Sequence, residues 1–427
     1  MLIMCTVVLV AAIAATVPLA YAMGLASVAA LAVGHEDALL IVTMRLIGGV
    51  NSFVLLAIPF YILAGSLMET GGISRRLVKF SQVLVGHVRG GLGMVSLVAE
   101  YIFSGISGST VADISAIGSL MAPALRRNGY SGGQTVSIIC AATSMGSLVP
   151  PSVGMIVLSS IMGISVAGLF FAGFMPAVAI ALVVAALIYV DARRRKMATE
   201  RRATLRELGA AFKEAAIPLV MPLIIFGGIL GGVTTATEAG AIAVLYALVV
   251  GLFVYKELSP KQLLKVLMDT GVITGIIVML VGLSTVLAWI LATQQVPAAI
   301  SEFLVSLALP RWGFLLVIIL LFLPLGAVLE VIPAFVIFVP LLLAPMNLLG
   351  IHPVHFAIVV YTAVNIGIFL PPLGVGFLLA CAIVKTEMEA AVRPFLPYLL
   401  TLFVGVLIVA YVPWLSLGLP RFFGLLR

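Results

Sequence analysis

The chain has 427 residues, of which 63% are hydrophobic and 9% are charged, and its mean hydropathy is +1.30. An ordinary soluble domain is about 25% charged, so this composition excludes a soluble globular protein and predicts a chain that uses lipid as its solvent. The formal net charge of +7 is spread over short polar segments, which favours the positive-inside bias of a membrane protein over binding to nucleic acid.

The amino-terminal segment, residues 1–17, is apolar and contains no basic residue. Because a cleaved signal peptide begins with a basic region, we predict that this segment is the first membrane helix. Many later segments without charge exceed the ~20 residues of a spanning helix, and we expect roughly ten to twelve spans. Up to Met68 two topologies stay open, since Pro18 and Gly48-Gly49 allow either two long spans or a span followed by a half-helix.

Two features follow that first region. From Ile73 to His87 apolar residues recur at roughly helical spacing around several basic residues, which predicts an amphipathic helix in the membrane interface. The next apolar run is interrupted between Phe103 and Asp113 by Ser, Gly and Thr. Basic residues lie on both sides of that run, so both ends favour the cytoplasm. The sequence therefore predicts a re-entrant hairpin with its tip between residues 107 and 110.

Two Pro-Pro pairs, Pro150-Pro151 and Pro371-Pro372, each interrupt a long stretch without charge. They lie 221 residues apart, and the same offset relates Gly146 to Gly367. Such breaks free backbone groups that lipid cannot satisfy, so they are tolerated only where they line a cavity or a site. Paired breaks in corresponding positions therefore predict a transporter made of two repeats, with its binding site near the membrane midplane.

The longest polar stretch, residues 191–214, lies near the middle of the chain and is basic, so we expect it in the cytoplasm. It divides the chain into a first half, residues 1–190, and a second half, residues 215–427. In the second half the segment from Pro324 to Pro333 predicts a second hairpin, and its few basic neighbours favour entry from the periplasmic side. One hairpin from each face is typical of inverted repeats.

Several short motifs together resemble a known family, the large membrane subunit of tripartite ATP-independent periplasmic (TRAP) transporters. The resemblance covers nearly the whole chain, and the matching segments are Leu56-Ala-Ile-Pro-Phe60, Phe103-Ser-Gly-Ile-Ser-Gly-Ser109, Ala116-Ile-Gly-Ser119, Pro150-Pro-Ser152, Thr237-Glu-Ala239 and Pro371-Pro-Leu-Gly374. It implies an all-α polytopic membrane protein of two inverted repeats, each with a re-entrant hairpin and a Pro-Pro-broken helix, working by an elevator mechanism. The family pattern is broken at Leu370, Ala363 and Glu330.

The resemblance also implies an activity and partners. The chain would import a small organic acid across the bacterial inner membrane, coupled to a cation, and it would not be an enzyme. Its partners would be a small four-helix membrane subunit and a periplasmic substrate-binding protein. No cofactor is expected apart from Na⁺ as the coupling ion.

Candidate ligands for Na⁺ are the hydroxyl and carbonyl oxygens around the hairpins and the broken helices, since unwound backbone coordinates cations in transporters. The first cation site is predicted from Ser104, Gly105, Ser107, Ser109, Ser144, Gly146 and Pro150. The second is predicted from Gly326, Val328, Thr362, Asn365, Gly367 and Pro371. The alternative role for the hydroxyls is packing between membrane helices, where Ser and Thr are common.

An anionic substrate would be attracted by helix N-termini that point at the midplane. Thr110 and Asp113 have the spacing of a capping box, and Pro150-Pro151-Ser152 fits a helix start with proline in its first turn. The predicted substrate contacts are Ser107, Thr110, Asp113, Ser147, Pro151, Glu330 and Asn365. Capping is the alternative role of the two acids among them, and Thr235-x-x-Glu238 is predicted to be a purely structural capping box.

Other functions must be weighed. Gly105-Ile-Ser-Gly108 matches the G-x-S-G of intramembrane serine proteases, but such an enzyme needs a general base beside the serine, and all four histidines are predicted in loops. A channel lacks support because no selectivity-filter segment is visible, and no phosphate-binding loop points to ATP. Cys5, Cys140 and Cys381 lack metal-binding spacing and are predicted core residues. The closest alternative is a stand-alone Na⁺/carboxylate symporter without a soluble partner.

Overall fold

The fold is taken from a computed structural model that describes residues 1–33, 38–195, 201–307, 309–329 and 331–426. Within these ranges it contains α-helices and short 3₁₀ and π segments, and no β-strand. The first half forms α1 (Leu2–Ala14), α2 (Leu19–Ala32), α3 (Ala38–Val50), α4 (Ala57–Thr70), α5 (Ile73–Val85), α6 (Gly91–Ser107), α7 (Thr110–Arg127), α8 (Gly132–Gly146), α9 (Val153–Met162) and α10 (Val166–Arg194).

The second half is also built of α-helices. It forms α11 (Leu205–Leu230), α12 (Ala236–Val249), α13 (Pro260–Thr293), α14 (Val296–Ser306), α15 (Arg311–Leu329), α16 (Val331–Leu348), α17 (Pro353–Gly367), α18 (Val375–Val384), α19 (Met388–Tyr411) and α20 (Trp414–Phe422). A 3₁₀ turn, Phe53–Leu56, precedes α4, and a π segment, Val250–Val254, continues α12.

Eight helices of the described chain are long and apolar enough to cross a membrane: α4 with its 3₁₀ turn, α10, α11, α12 with its π segment, α13, α15, α16 and α19. Seven shorter apolar helices of 10–17 residues accompany them. Large apolar side chains on the outer helices face outward, with Leu223 69% exposed and Phe253 70% exposed. Such outward apolar surface is typical of helices that contact lipid.

The amino-terminal region differs from both topologies that the sequence left open. It forms three short helices, α1 to α3, of 13 or 14 residues each. Pro18 immediately precedes α2, because proline cannot continue the helix before it. The glycine pair does not break α3, and a Cβ atom at Gly49 would lie 2.4 Å from the Thr285 hydroxyl. Gly49 therefore permits close packing of α3 on α13 rather than a turn.

The amphipathic helix is confirmed as α5, which buries Ile73 and Leu77. Two ion pairs connect its polar side to the second half of the chain. Arg76 pairs with Glu257 at 2.7 Å, and Lys79 pairs with Glu214 at 2.7 Å. This helix therefore joins α6 to the segments around α11 and α12, and its position in the membrane interface stays a prediction.

The predicted first hairpin is formed by α6 and α7, which pack against each other and meet at residues 108 and 109. Gly108 at its tip has φ +66°, a conformation that glycine adopts without strain. The second pair of arms is α15 and α16, which end and begin on either side of residue 330. Glu330 itself lies outside the described residues, so its predicted roles stay predictions.

The two Pro-Pro pairs lie where the sequence predicts, each between two short helices. Pro150-Pro151 separates α8 from α9, Pro371-Pro372 separates α17 from α18, and both Pro-Pro bonds are cis. The element order recurs in the two halves, since α7 and α16 begin 221 residues apart, as do α8 and α17. The inverted orientation of the repeats stays a prediction.

Repeated glycines explain how hairpin arms and broken helices pack so closely. A Cβ atom at Gly326 would lie 2.3 Å from the Val364 carbonyl oxygen, and one at Gly367 would lie 2.2 Å from the Leu323 carbonyl oxygen. These contacts hold α15 against α17. Helix α6 packs on α8 in the same way at Gly146.

Much of the basic connector is helical. Helix α10 continues to Arg194 and α11 already begins at Leu205, with Thr204 and Glu207 forming a capping box. Much of the stretch assigned to residues 191–214 is therefore helical. Its charged residues lie on the ends of α10 and α11, beyond the apolar parts of these helices. This position fits helix ends that lie outside the lipid.

Candidate functional site

The tip of the first hairpin gathers three of the predicted polar residues. The hydroxyls of Ser104 and Ser107 on α6 both donate to the carboxylate of Asp113 on α7. All three side chains are at most 3% exposed. The hairpin therefore holds a buried carboxylate whose two oxygens are each matched by a hydroxyl donor.

This geometry corrects the capping role predicted for Asp113. The N-cap of α7 is Ser109, one residue earlier than Thr110, and its hydroxyl accepts from the Ala112 N–H at 3.5 Å. Asp113 lies one turn into the helix and faces α6, so it accepts the serine hydroxyls instead of capping the helix. The capping box Thr110-x-x-Asp113 was wrong for this reason.

The start of the helix after Pro150-Pro151 is also corrected. Helix α9 begins at Val153 with Ser152 as its N-cap, so both prolines precede the helix rather than lying in its first turn. The Ser152 hydroxyl makes no capping bond, because it is bonded to another helix. The two prolines therefore lie in the loop between α8 and α9.

The hairpin tip packs directly on this first Pro-Pro loop. The Val153 N–H donates to the Gly108 carbonyl at 3.3 Å, and a Cβ atom at Gly108 would lie 2.9 Å from the Pro151 carbonyl oxygen. Together they enclose a cavity of about 10 Å³, lined by Ser104, Gly108, Ser109, Thr110, Asp113, Ser147, Val149 and Ser152. That is about the room of one water-sized sphere. Of the first predicted cation site, Ser104 and Ser109 line this cavity.

Ser144 and Gly146 complete the account of the first predicted site. Gly146 faces α6, where its Cβ position would lie 2.8 Å from the Ser104 hydroxyl oxygen. Ser144 is 2% exposed, its hydroxyl has no partner among the described residues, and its carbonyl accepts from the Ser147 hydroxyl at 2.9 Å. Gly146 therefore packs against Ser104 on the first arm of the hairpin. A ligand role for Ser144 stays a prediction.

Polar contacts join the tip of the first hairpin to the second half. The Thr110 hydroxyl donates to the Asn365 side-chain oxygen at 3.5 Å. The Tyr361 hydroxyl donates to the Ser147 carbonyl at 3.1 Å and is paired with the Ser152 hydroxyl at 2.5 Å. The two broken helices and the first hairpin therefore meet at one buried polar junction.

Tyr361 was not predicted from the sequence. A signal was available, because this tyrosine lies one helical turn before Asn365 and faces the same way in a helix that is otherwise largely apolar. Its hydroxyl has to find a partner when buried. Tyr361 was therefore a candidate for a hydrogen bond between the second broken helix and the first.

The second predicted cation site is only partly assembled. Gly326 lies against the backbone of Val364, and Asn365 donates to the Tyr361 carbonyl at 2.8 Å, which leaves its side-chain oxygen for Thr110. Thr362 donates to the Ile358 carbonyl of its own helix at 2.6 Å. The side chain of Val328 is 62% exposed, so only its backbone could reach a cation.

The two Pro-Pro loops also differ in burial. Pro150 and Pro151 are buried, whereas Pro371 is half-buried and Pro372 is exposed. Leu373, next in the second loop, is 59% exposed. The first site is therefore closed by protein in this structure, and the second loop lies at its surface.

Glu100 is the second residue that the sequence analysis missed. It lies in the middle of α6, one turn before Ser104, and is 0% exposed. An acid inside an apolar membrane segment is by default a candidate functional residue, so its position between Gly91 and Ser107 was a usable signal.

One histidine was placed wrongly. His355 was predicted in a loop but lies in the first turn of α17 and is 3% exposed. Its ring contacts the Ser416 hydroxyl at 2.7 Å and the Ala410 carbonyl at 3.1 Å. It packs against the end of the chain, whereas Ser107 donates to Asp113, so the serine of the G-x-S-G match is not paired with this histidine.

The capping box at Thr235 is confirmed. Its hydroxyl accepts from the Glu238 N–H at 3.2 Å, and the Glu238 carboxylate accepts from the Thr235 N–H at 2.7 Å. Glu238 therefore caps the first turn of α12, which is the structural role that its spacing indicates.

The donor set suits an alkali-metal ion. The polar atoms at the junction are carboxylate, hydroxyl, amide and carbonyl oxygens, which are hard ligands. Among the residues that the structure describes, no group of three or more His, Cys, Asp or Glu side chains could hold a metal ion. Ligands of this kind suit hard cations.

Comparison with known sequences decides the family. The family described as "Tripartite ATP-independent periplasmic transporter, DctM component" matches residues 6–415. The chain belongs to this family of TRAP transporter large permease subunits. It is thus a multi-pass subunit of a membrane transporter, and the resemblance carried by its short motifs is confirmed.

Individual relatives of this TRAP subunit agree. The chain is 38% identical to the Salmonella typhimurium protein YgiK over 96% of this chain and 95% of the relative. It is 34% identical to the C4-dicarboxylate TRAP transporter large permease protein DctM of Pseudomonas aeruginosa over 94% of both chains. It is 32% identical to the sialic acid TRAP transporter large permease protein SiaM of Vibrio cholerae over 96% of both.

A solved structure shares the fold. The YdaH transporter of Alcanivorax borkumensis matches with a TM-score of 0.68 and 18% sequence identity, over 91% of this chain and 90% of that one. At this identity the likeness supports the architecture alone.

Proposed function

We propose that this TRAP subunit imports a small organic acid across the bacterial inner membrane by Na⁺ symport. It would work with a small four-helix membrane subunit and receive its substrate from a periplasmic binding protein. The observation that carries the proposal is the partly buried junction at which Thr110 of the first hairpin contacts Asn365 of the second broken helix. A transport site between two halves has this form.

The substrate class follows from the chemistry of the junction and from the relatives. Helices α7 and α9 begin at the junction, and helix N-termini favour a carboxylate. The matching permeases are named for C4-dicarboxylates, sialic acid and 2,3-diketo-L-gulonate. Each of these compounds carries at least one carboxylate group. A small carboxylate is therefore the expected cargo, with bound Na⁺ offsetting its charge.

An elevator mechanism is supported by the division of the molecule into two kinds of helix. The hairpins and the broken helices contain the predicted site, whereas α11 to α13 and α5 form a continuous frame joined by the ion pairs of Arg76 and Lys79. Rigid repeats that carry a site can move it against such a scaffold. The two hairpins and the two Pro-Pro elements, one of each from either inverted repeat, would form the mobile body.

Uptake into proteoliposomes tests this proposal. The chain, reconstituted with the proposed small membrane subunit, should accumulate radiolabelled succinate, sialic acid or a keto-acid only when the binding protein is outside and Na⁺ is directed inward. Uptake without the binding protein would instead identify a stand-alone symporter. Equal uptake when K⁺ replaces Na⁺ would reject the coupling.

A further inference from the structure

A second, larger cavity lies between α5, α6 and the carboxyl-terminal end of α7. Its volume is about 290 Å³, whereas one water molecule needs only about 10–15 Å³. It shares no lining residue with the small cavity at the hairpin tip, and the described residues that line it include no Asp or Glu. The cavity is therefore separate from the polar junction and has room for an organic group.

Helix α5 contributes one of its three faces to this cavity. The first face is buried, and the second carries the ion pairs of Arg76 and Lys79. The third carries Arg75, Val78 and Gln82, which line the cavity and follow one another at the three- and four-residue spacing of a single helix face. Arg75 is thus the basic residue of α5 that forms no ion pair within the described residues.

The end of α7 supplies a second unpaired cation. Arg127 and Asn128 line the cavity, and within the described part of the chain Arg127 forms no ion pair either. Its neighbour Arg126 reaches the start of α8 instead, where a Cβ atom at Gly132 would lie 2.5 Å from a guanidinium nitrogen of Arg126. Two positive charges therefore face the cavity with no acid in its walls to balance them.

The deeper wall of the cavity is apolar. Leu92 and Val95 of α6 and Met121 of α7 line it and are at most 8% exposed, whereas Arg75 and Arg127 are exposed. Depth thus separates a cationic mouth from an apolar floor. A small free anion would use the mouth alone, whereas an amphiphile with an anionic head and a hydrocarbon chain matches both parts.

We propose that this cavity binds an anionic phospholipid, with the phosphate on Arg75 and Arg127 and the start of an acyl chain against the apolar floor. Arginine binds phosphate oxygens through paired N–H donors. Basic cavities between membrane helices on the cytoplasmic side are suited to anionic headgroups, and the sequence predicts that side for both ends of the first hairpin. Because α5 belongs to the proposed frame and α7 to the proposed mobile body, the lipid would contact both.

Native mass spectrometry of the full-length chain tests this site. The protein is delipidated in detergent and titrated with dioleoyl phosphatidylglycerol, or with dioleoyl phosphatidylcholine, which has the same chains on a zwitterionic head. The wild type should bind one phosphatidylglycerol more tightly than further copies and more tightly than phosphatidylcholine. Arg75→Gln/Arg127→Gln should weaken binding of that first lipid at least about tenfold, because each arginine beside an anionic headgroup contributes about fivefold.

Arg126→Gln/Arg193→Gln is the matched control. It removes two positive charges from exposed positions on the same predicted side of the membrane, and neither residue lines the cavity. Its affinity for the first phosphatidylglycerol should equal that of the wild type. Ala124→Leu tests the apolar part, since Ala124 lines the cavity and a larger side chain would take the room of the acyl chain. This variant should also weaken phosphatidylglycerol binding, although both arginines remain.

Three results would overturn the site. The first is wild-type affinity in Arg75→Gln/Arg127→Gln, and the second is an equal loss of affinity in the control pair. The third is binding of glycerol 3-phosphate, which has the phosphate but no chain, as tightly as phosphatidylglycerol, because the cavity would then hold a free anion. The titrations contain neither a Na⁺ gradient nor an organic acid, so failure of this site and failure of the proposed Na⁺-driven import are distinguishable.

Discussion

At the scale of single residues, Asp113 is the acid with the best-defined partners. Two serine hydroxyls from α6 donate to it, and it lines the small cavity against the Pro-Pro loop. These hydrogen bonds fix both oxygens of the carboxyl group in position, which is what a bound cation or a pre-organised tip requires.

Asp113→Asn should therefore weaken transport at the level of cation affinity. The change removes a negative charge close to the proposed cation, so we expect the Na⁺ concentration for half-maximal uptake to rise about tenfold or more. Asp269→Asn, an exposed position on α13, is the control for the same chemical change. Unaltered Na⁺ dependence in the first variant would show that the charge of Asp113 is not used.

Tyr361→Phe removes the hydroxyl that links α17 to both ends of the first Pro-Pro loop. The change leaves the Ser152 hydroxyl and the Ser147 carbonyl buried without this partner, at a cost of about 1–3 kcal/mol. The melting temperature should fall, and uptake should slow. Tyr411→Phe, whose hydroxyl makes a longer contact of 3.4 Å at an exposed site, should change neither measurement. Equal behaviour of the two variants would contradict the junction.

The residues that the sequence predicted and those that it missed differ in a physical way. Serines and glycines at the tip were predictable, because they interrupt an apolar helix locally. The partners of Asp113 and Tyr361, and the burial of Glu100, depend on which helices pack together in three dimensions, and spacing along one helix does not reveal that. For this reason the sequence predicted that Asp113 caps the start of its own helix, although its partners lie on the neighbouring helix.

At the scale of elements, the tip of the first hairpin packs tightly on α4. A Cβ atom at Gly65 would lie 2.4 Å from the Ser107 carbonyl oxygen. That oxygen belongs to backbone and cannot move away without shifting the tip. The contact joins α4 to the tip of the first hairpin, which is part of the proposed mobile body.

Gly65→Ala should therefore displace the hairpin tip. Overpacking of this kind costs about 1–3 kcal/mol, so the melting temperature and the uptake rate should both fall. Gly275→Ala on α13 has nothing within 4 Å of its added methyl group and should leave both unchanged. Wild-type transport by Gly65→Ala would show that the tip does not depend on this contact.

The elevator proposal predicts which elements move relative to one another. Spin labels at Lys265 on α13 and Arg127 at the end of α7 should change their separation when Na⁺ and substrate are added. Labels at Lys265 and Lys213, both on the proposed scaffold, should keep theirs. Pulsed electron paramagnetic resonance measures both distances, and a constant first distance would favour gating without an elevator.

Elements were predictable where proline and glycine mark them. The broken helices at Pro150 and Pro371, the hairpin tip and α5 lie where the sequence places them. The three short amino-terminal helices were not predictable, because hydrophobic length alone cannot distinguish a long span from short helices that pack on each other. Gly49 illustrates this, since its role appears only when α13 lies beside it.

At the scale of the whole molecule, the chain is a TRAP large permease subunit whose element order recurs in both halves. Composition alone was enough to predict a membrane protein, and the short motifs together were enough to predict the family. Neither could show that the two halves meet at Thr110, Tyr361 and Asn365, because those contacts join residues more than 200 positions apart.

The central claim is that this junction couples Na⁺ to the import of an organic acid. Solid-supported membrane electrophysiology tests it most directly, by recording the current when substrate-loaded binding protein is applied to proteoliposomes of the complex. We predict a current of inward positive charge that appears in Na⁺, disappears in K⁺ and is strongly reduced in Asn365→Ala. A current of equal size in K⁺, or one that does not change in Asn365→Ala, would contradict the account.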